Sequence, residues 1–521
     1  MAKVVPALLA SAMTLSCAGA KPPVKPRRPV VLTSAEPFHS IYLRQPSYET
    51  AMDGSFATGI TYADINGDGM PDVVAANGND MAPQPLMVYT NHCSPKQTSC
   101  FAPYPEWYSS DFDYQANVAV GDIDHDGWLD VAVCVPLDKS RRSQGGSVKI
   151  YMNRKGHLEG FPSQRIAEGY GTFACTLADV NADGLLDLVV AAFNSPPSSP
   201  VPAVVRGSLR SAPQGIRESA RIYLNEGGRF HTASDWKSDN GMFAFSTVAA
   251  DLDQDGWMDV AMGTERVFTY RGGAPTGKGV PIAPAPAWKS EPTRGLALSI
   301  DAGAMGRDPA LTLAVSRGCI PGDSNCTSDF ALFRPSTGPS PVWKSAPNQL
   351  AAMLLLADLN DDHLLDLVGG QWGDHVQGGP LWFFQGLPEG TFSSEPDFRT
   401  DGSGSAVAEA LMVADTRCRA ISERNVTLRT KGRGAVVTLP DRRVASIVSV
   451  VVAGRNLPPH EWAFAVGQNW ISLARPYEPN TELRVTYRAS PVQDLIVATW
   501  SPQRGNLLFD SFLPAQAKQQ K

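Results

Sequence analysis

Nothing in this 521-residue sequence reads as a long amphipathic helix, and beyond the first twenty residues no apolar run approaches membrane-spanning length. The eight histidines are scattered. There is no His-Glu-x-x-His, no Gly-x-Ser-x-Gly, no phosphate-binding glycine loop and no Cys-x-x-Cys zinc pattern. Those absences remove the common metalloprotease, serine-hydrolase, nucleotide-binding and zinc-ribbon readings. Lys and Arg form no block, and aromatics are not interleaved with basic residues, which argues against a nucleic-acid partner. What abounds is turn chemistry, 46 Gly and 42 Pro, and that composition favours an all-β architecture.

Against this background one nine-residue phrase, Asp-x-Asp/Asn-x-Asp-Gly-x-x-Asp, occurs five times, each time followed by an apolar run. Its oxygen side chains stand at positions one, three, five and nine. They are Asp64, Asn66, Asp68 and Asp72; Asp122, Asp124, Asp126 and Asp130; Asp179, Asn181, Asp183 and Asp187; Asp251, Asp253, Asp255 and Asp259; Asp358, Asn360, Asp362 and Asp366. Position seven, held by Met70, Trp128, Leu185, Trp257 and Leu364, would add a backbone carbonyl. A hard cation such as Ca²⁺ takes this oxygen set, with glycine at position six to turn the chain. In the last copy His363 replaces that glycine, so the turn costs more and binding should be weaker. An EF-hand would need a Glu at position twelve, where Ala75, Val133, Val190, Met262 and Gly369 stand instead. The bulk charge agrees with cation binding: 17 acidic side chains occupy ligand positions, and five Ca²⁺ would move −7 to +3. Paired carboxylates could also suggest glycoside chemistry, but a metal-bound carboxylate is not free to act as acid or base.

Spacing turns the phrase into a ruler. First ligands fall at 64, 122, 179, 251 and 358, so the last interval holds nearly two periods. Leu298-Ser299-Ile300-Asp301 followed by Leu311 to Val315 fills the gap as a copy without ligands. One further period reaches Leu411 to Asp415, whose companion strand appears only at Asp494 to Ala498. A third strand follows in each unit, from Leu86–Tyr89 to Asn506–Phe509, and Val30 to Leu43 is expected to supply an outer strand closing the ring. Seven units of three or four short strands suit a seven-bladed β-propeller.

The phrases Asp64-Ile-Asn66-Gly-Asp68-Gly69-Met-Pro-Asp72 and Asp122-Ile-Asp124-His-Asp126-Gly127-Trp-Leu-Asp130 resemble FG-GAP/VCBS repeats of the integrin α propeller and many exported bacterial proteins. Phe173-Ala174 and Phe243-Ala244 resemble the aromatic-small entry to such repeats. The resemblance covers roughly residues 30–416 and 491–513. It implies a propeller with Ca²⁺ in the hairpin between the first two strands of a blade.

The expected organisation is therefore a signal peptide at 1–20, a tether at 21–29, blades one to six with the start of the seventh at 30–416, and an insertion at 417–490. Residues 491–513 complete the last blade and 514–521 form a tail. The insertion shows short strands from Val426 to Tyr487 and reads as a small immunoglobulin-like β-sandwich with Trp462, Phe464, Trp470 and Tyr487 in its core, projecting from the metal face. Lys3, the apolar run Val4 to Leu15 and Ala18-Gly19-Ala20 make an export signal; Leu15-Ser16-Cys17-Ala18 also resembles a bacterial lipoprotein box, with Cys17 the lipidation candidate. Export permits disulfides, and Cys93 with Cys100 and Cys319 with Cys326 bracket short loops suited to local clasps. Cys134, Cys175 and Cys418 are left as buried thiols or as a Cys134–Cys175 bridge.

Function is then expected on loops opposite the metal hairpins, where 77–85, 136–146, 195–220 and 370–379 are enlarged. Arg141, Arg142, Arg206, Arg210, Trp372 and His375 are rim candidates, and His125 and His363 are solvent-facing fillers. The expected role is a non-enzymatic, calcium-stabilised envelope binding or adhesion protein, exported to the bacterial outer membrane or cell surface as a lipoprotein, or secreted. Its partner would be an envelope or extracellular protein, or a polysaccharide. The membrane is touched only through a lipid anchor. Alternatives are an exported carbohydrate-active lyase or hydrolase on a propeller scaffold, and an architectural subunit of an envelope complex.

Overall fold

The computed structural model describes residues 37–512 apart from 79–80, 94–99, 138–144, 194–216, 278, 294, 307–310, 320–326, 349, 374–377 and 402–405. Each Asp-rich phrase joins two antiparallel strands, as Ala57–Ala63 with Asp72–Asn77 and Ser246–Ala250 with Asp259–Gly263. Every residue of Asp72–Asn77, Asp130–Val135, Asp187–Ala192 and Asp366–Gln371 is buried. Such strands are covered on both faces, which is why they read as continuous apolar runs rather than alternating ones. A third strand and a short fourth extend each hairpin, and the described residues form seven four-stranded sheets of this kind.

The first strands of neighbouring sheets pack against one another in chain order, from 57–63 through 117–121, 172–178, 246–250, 296–304, 351–357 and 408–414, and back to 57–63. The chain is all-β, and the arrangement is consistent with a β-propeller. One sheet joins the two ends of the described chain: Tyr48 and Glu49 pair with Leu508 and Leu507 beside Asp494–Thr499 and Ala408–Ala414. The closing strand is therefore not the expected Val30 to Leu43. Residues 30–36 lie outside the described part, and Phe38–Ile41 is one helical turn whose Phe38 packs with Tyr42 on Phe383.

Fourth strands are two to seven residues long, and six of the seven carry a signature. An aromatic opens the strand and a hydroxyl follows two residues later: Trp107 and Ser109, Trp236 and Ser238, Trp288 and Ser290, Trp343 and Ser345, Phe398 and Thr400. Each hydroxyl oxygen accepts an N–H from the start of the third strand, from Leu86, Ala220, Val267, Phe330 and Leu381 at 2.9–3.0 Å. Thr50, two residues after Tyr48, does the same for Asn506 at 2.9 Å, which identifies the N-terminal strand as the fourth strand of the last sheet.

One hairpin differs in register from its sequence pattern. The ligand-free hairpin has its bulge between Ala297 and Ser299, where the first repeat has it between Ala57 and Gly59. Its strands pair as far as Ala304 and Leu311, and Asp301 is a strand residue paired with Ala314 rather than the end of the strand. By that register Ala304, buried Met305 and Thr312 align with positions one, two and nine of the Asp-rich loops.

Residues 422–489 form two further sheets, Ser422–Arg429, Glu482–Ala489, Ser446–Val452 and Arg455–Asn456 against Gly434–Thr438, Trp470–Tyr477 and Trp462–Ala463. Val437, Leu439, Val450, Leu473, Val485 and Tyr487 fill the core between them, with Trp462 and Phe464 half-buried at its margin. Trp470 departs from the expected core. It packs with Val436, Ala463 and Ala465 into the apolar cluster of the third and fourth sheets, and its Nε1–H donates to Ala249 O at 3.1 Å.

Candidate metal centres

All five loops adopt one conformation. Position four is left-handed in each, at Gly67, His125, Ala182, Gln254 and Asp361 (φ 74°, 58°, 56°, 63° and 58°). Position six repeats this at Gly69, Gly127, Gly184, Gly256 and His363 (φ 87°, 91°, 87°, 92° and 67°). A Cβ disfavours that region, so His363, like the non-glycine residues at position four, holds its place at a conformational cost.

Backbone N–H groups then aim the carboxylates. The first ligand accepts the N–H of position six, as Asp64 Oδ2 from Gly69 and Asp251 Oδ2 from Gly256, at 2.9–3.1 Å in all five loops. Asn66, Asp124, Asn181, Asp253 and Asn360 accept the position-five N–H. Asp68, Asp126, Asp183, Asp255 and Asp362 accept the N–H of Met70, Trp128, Leu185, Trp257 and Leu364 at 2.8–3.0 Å. The ninth residue is anchored twice: Asp72, Asp130, Asp187, Asp259 and Asp366 take one N–H from position two and another from just beyond the third strand. Every predicted ligand side chain is thus brought to its own loop.

Some of the remaining carboxylate oxygens have no hydrogen-bond partner. Asp64 Oδ1, Asp122 Oδ1 and Asp251 Oδ1 are buried without a hydrogen-bond donor. Ligand atoms of Asp122, Asp124 and Asp130, of Asp251, Asp253 and Asp255, and of Asp358, Asp361 and His363 lie within 4.8 Å of one another. Burial, reinforced by the neighbouring acids, pushes Asp72, Asp130, Asp179 and Asp259 up to about 7 and Asp251 up to about 6. Carboxylates so placed need a positive charge to stay ionised at neutral pH, and orphaned oxygens turned into an acidic turn fit a divalent cation. Arg154 reaches Asp124 at 2.9 Å and Arg271 reaches Asp253 at 2.6 Å, supplying part of that charge from the rim.

Sequence reading passed over the asparagines that follow the third strand. Asn91, Asn153 and Asn225 are buried, and each Nδ2 donates both to the position-eight carbonyl of its own loop and to position two of the loop before, Thr416, Ile65 and Ile123. The aromatic-x-Asn triplets Tyr89-Thr-Asn91, Tyr151-Met-Asn153 and Tyr223-Leu-Asn225 were the available signal. His125 is not a filler either, because its Nε2 contacts Gly184 O of the next loop at 2.9 Å. His363 is exposed, with Nδ1 3.7 Å from Asp358.

Residues 422–489 sit on the metal face, against loops of the second to fifth hairpins, while Asp68, Asp126 and His363 stay exposed. Ala435 and Val436 donate their N–H groups to Gly256 O at 2.9 Å, and Val466 donates to Val120 O at 3.1 Å. A Cβ on Gly184 would meet Ala474 at 2.8 Å and one on Gly256 would meet Gly434 at 2.9 Å, so these two loop glycines also admit the neighbouring chain. Arg442 and Arg443 reach Asp301 at 2.7 and 3.1 Å. The cavity left beside them is about 40 Å³, lined by Tyr62, Asp64, Asp415, Arg443 and Gln493, room for a few waters rather than a substrate.

Cys93 and Cys100 are bonded, and Cys319 is disulfide-bonded; Cys326 and Cys17 lie outside the described residues. Cys134 and Cys175 are buried free thiols. Of the rim candidates only Trp372 is described, half-buried with its Nε1–H on Glu409; Arg141, Arg142, Arg206, Arg210 and His375 lie outside.

Among known proteins, the FG-GAP-like repeat family matches residues 64–133 and 211–262. Integrin alpha-7 of Mus musculus is 36% identical over 92 residues, which is 17% of this chain and 8% of the integrin. Integrin alpha-6 of Gallus gallus is 31% identical over 167 residues, covering 30% and 14%, and integrin alpha-E of Mus musculus 32% over 163 residues, covering 28% and 14%. The chain thus spans only a small part of the length of these relatives.

Proposed function

Since the chain is an integrin-α-like FG-GAP repeat protein, we propose that it is a seven-bladed, calcium-stabilised propeller that binds an extracellular or envelope protein without catalysing a reaction. The sandwich of residues 422–489 is inserted in the seventh blade. Asp and Asn side chains at positions one, three, five and nine of five loops would hold Ca²⁺, together with the position-seven carbonyl. Bound there, the ion neutralises three or four clustered carboxylates and fixes a turn that otherwise repels itself. Disulfide-bonded Cys93–Cys100 and Cys319 suit an oxidising compartment, in keeping with export and, through Cys17, a lipid anchor.

The observation that carries the reading is an aromatic cluster on the face away from the loops. The sandwich sits against part of the loop face, and the opposite face, where first strands begin and second strands end, offers a partner surface. Half-buried Phe56, Phe173, Phe193, Trp372 and Trp500 gather there, with Phe173 5.5 Å from Phe193 and Trp372 stacked on Trp500 at 6.5 Å. Rings of this kind, partly wet and rigid, are the usual anchors of protein recognition. Capture of envelope proteins on immobilised chain tests this. A partner retained by the wild type should be lost with Phe193→Asp and kept with Val448→Asp on the exposed outer sheet of the sandwich. Equal capture by both variants would contradict the proposed face.

A further inference from the structure

The seventh repeat keeps more of a metal loop than its interrupted sequence suggests. Counting from Asp415, the fourth residue Cys418 is left-handed at φ 49°, like position four of the five loops. Ala420 N–H, five residues on, donates to Asp415 Oδ2 at 2.8 Å, as Gly69 donates to Asp64. Thr416 N–H donates to Asp494 Oδ2 at 3.0 Å and Ser511 N–H to Asp494 Oδ1 at 2.7 Å, matching Ile65 and Asn91 on Asp72. Asp494 is therefore the ninth residue of the loop, and the sandwich is inserted between positions six and nine.

What has changed is the charge at positions three and five, where Arg417 and Arg419 replace carboxylate or amide. Arg419 Nε lies 3.3 Å from Asp415 Oδ1, its Nη2 is ion-paired with Asp494 Oδ1, and its Nη1 donates to Ser511 O at 2.6 Å. Arg417 pairs with Asp510 on the other side. The side chains of Asp415 and Asp494 are fully buried, so a counter-charge there is obligatory. Two carboxylates and one guanidinium leave −1, the same residue of charge that a loop of three carboxylates keeps with one Ca²⁺.

We propose that the Arg419 guanidinium is a built-in cation standing where the divalent ion stands in the other loops, so that the blade joining the two ends of the ring closes without metal. The inference rests on the calcium reading of those loops. Its location gives it consequence: this blade contains the Tyr48–Glu49 closing strand, itself tied by Glu49 to Arg504 at 2.9 Å. Depletion of the cation would then loosen the metal-bearing blades while the ring stays closed.

The test compares wild type, Arg419→Gln and the double variant Arg417→Asn/Arg419→Asp, measuring bound calcium per chain by elemental analysis and melting curves in Ca²⁺ and in EGTA. Arg419→Gln should lower the melting temperature by at least 5 °C in both buffers and leave the calcium count unchanged. The double variant, which writes Asp-Thr-Asn-Cys-Asp ahead of Asp494, should bind one more Ca²⁺ than wild type and regain most of the lost stability only in Ca²⁺. Wild-type melting of Arg419→Gln in EGTA overturns the proposal, as does a double variant that folds in Ca²⁺ with no added ion. If Arg419→Gln does not fold, the double variant alone decides. A wild type that binds no calcium defeats the reading of the five loops, while the EGTA comparison of Arg419→Gln still judges Arg419.

Discussion

Chelation with EGTA is expected to lower the melting temperature by about 10–15 °C. Ligand present at a hundred times its dissociation constant stabilises by about 2.7 kcal/mol per site, so five loops sum to roughly 13 kcal/mol. For a fold of this size the unfolding entropy is about 1 kcal/mol per degree, which converts that sum to the stated shift. The loss should depend on pH, and its sign follows from the loop acids. Burial raises Asp72, Asp130, Asp179 and Asp259 to about 7 and Asp251 to about 6, above an unfolded value near 3.9. Without metal the folded chain therefore binds more protons than the unfolded chain between those values. Its stability is present at low pH and lost as pH rises through 6 to 7. Acidifying EGTA-treated protein from pH 7.5 to 5.5 should raise its melting temperature and narrow the gap to the calcium-loaded form. The trend reverses only below about pH 4, where Asp301, held under the ordinary carboxylate value by Arg442 and Arg443 despite its burial, begins to protonate.

The second large effect is expected from Trp470→Ala. Trp470 is among the largest fully buried side chains, and it lies in the seam between residues 422–489 and the third and fourth four-stranded sheets. Removing the indole leaves a cavity and an unpaired Ala249 carbonyl, a change of about 3–5 kcal/mol by analogy with buried aromatic truncations. Because the seam runs over the loops of Asp179 and Asp251, the damage should not remain local. Hydrogen exchange should accelerate at Val436 and Val466, whose N–H groups bond Gly256 and Val120 across the seam. Stability lost with those two amides still protected would mean that the sandwich does not depend on Trp470 for its seat.

Much of this molecule is legible in its sequence because ligand chemistry is stereotyped. Oxygen donors at fixed intervals, with a glycine at position six in four of them, mark five loops, and the apolar runs beside them mark the strands. The fourth strands escaped because a two-residue strand shows no alternation; only the aromatic-x-Ser/Thr repeat marks it, from Trp107-Tyr-Ser109 to Tyr48-Glu-Thr50. The same blindness placed the closing strand at Val30 to Leu43. The entry strand that the sequence pattern ends at Asp301 runs on to Ala304, since a bulge sets the register of that hairpin. The seventh loop was hidden because arginines stand at its ligand positions and about seventy residues separate positions six and nine. No periodicity could have indicated how the sandwich sits: the contacts of Trp470, Arg442 and Arg443 join segments far apart in the chain, and such pairing leaves no local trace.

The central claim is that five loops of one conformation each hold a divalent cation and that the seventh holds an arginine instead. Elemental analysis of the purified chain, loaded with calcium and desalted, tests it most directly. About five calcium ions per chain are expected, one for each Asp-rich phrase. A count of zero or one would contradict it.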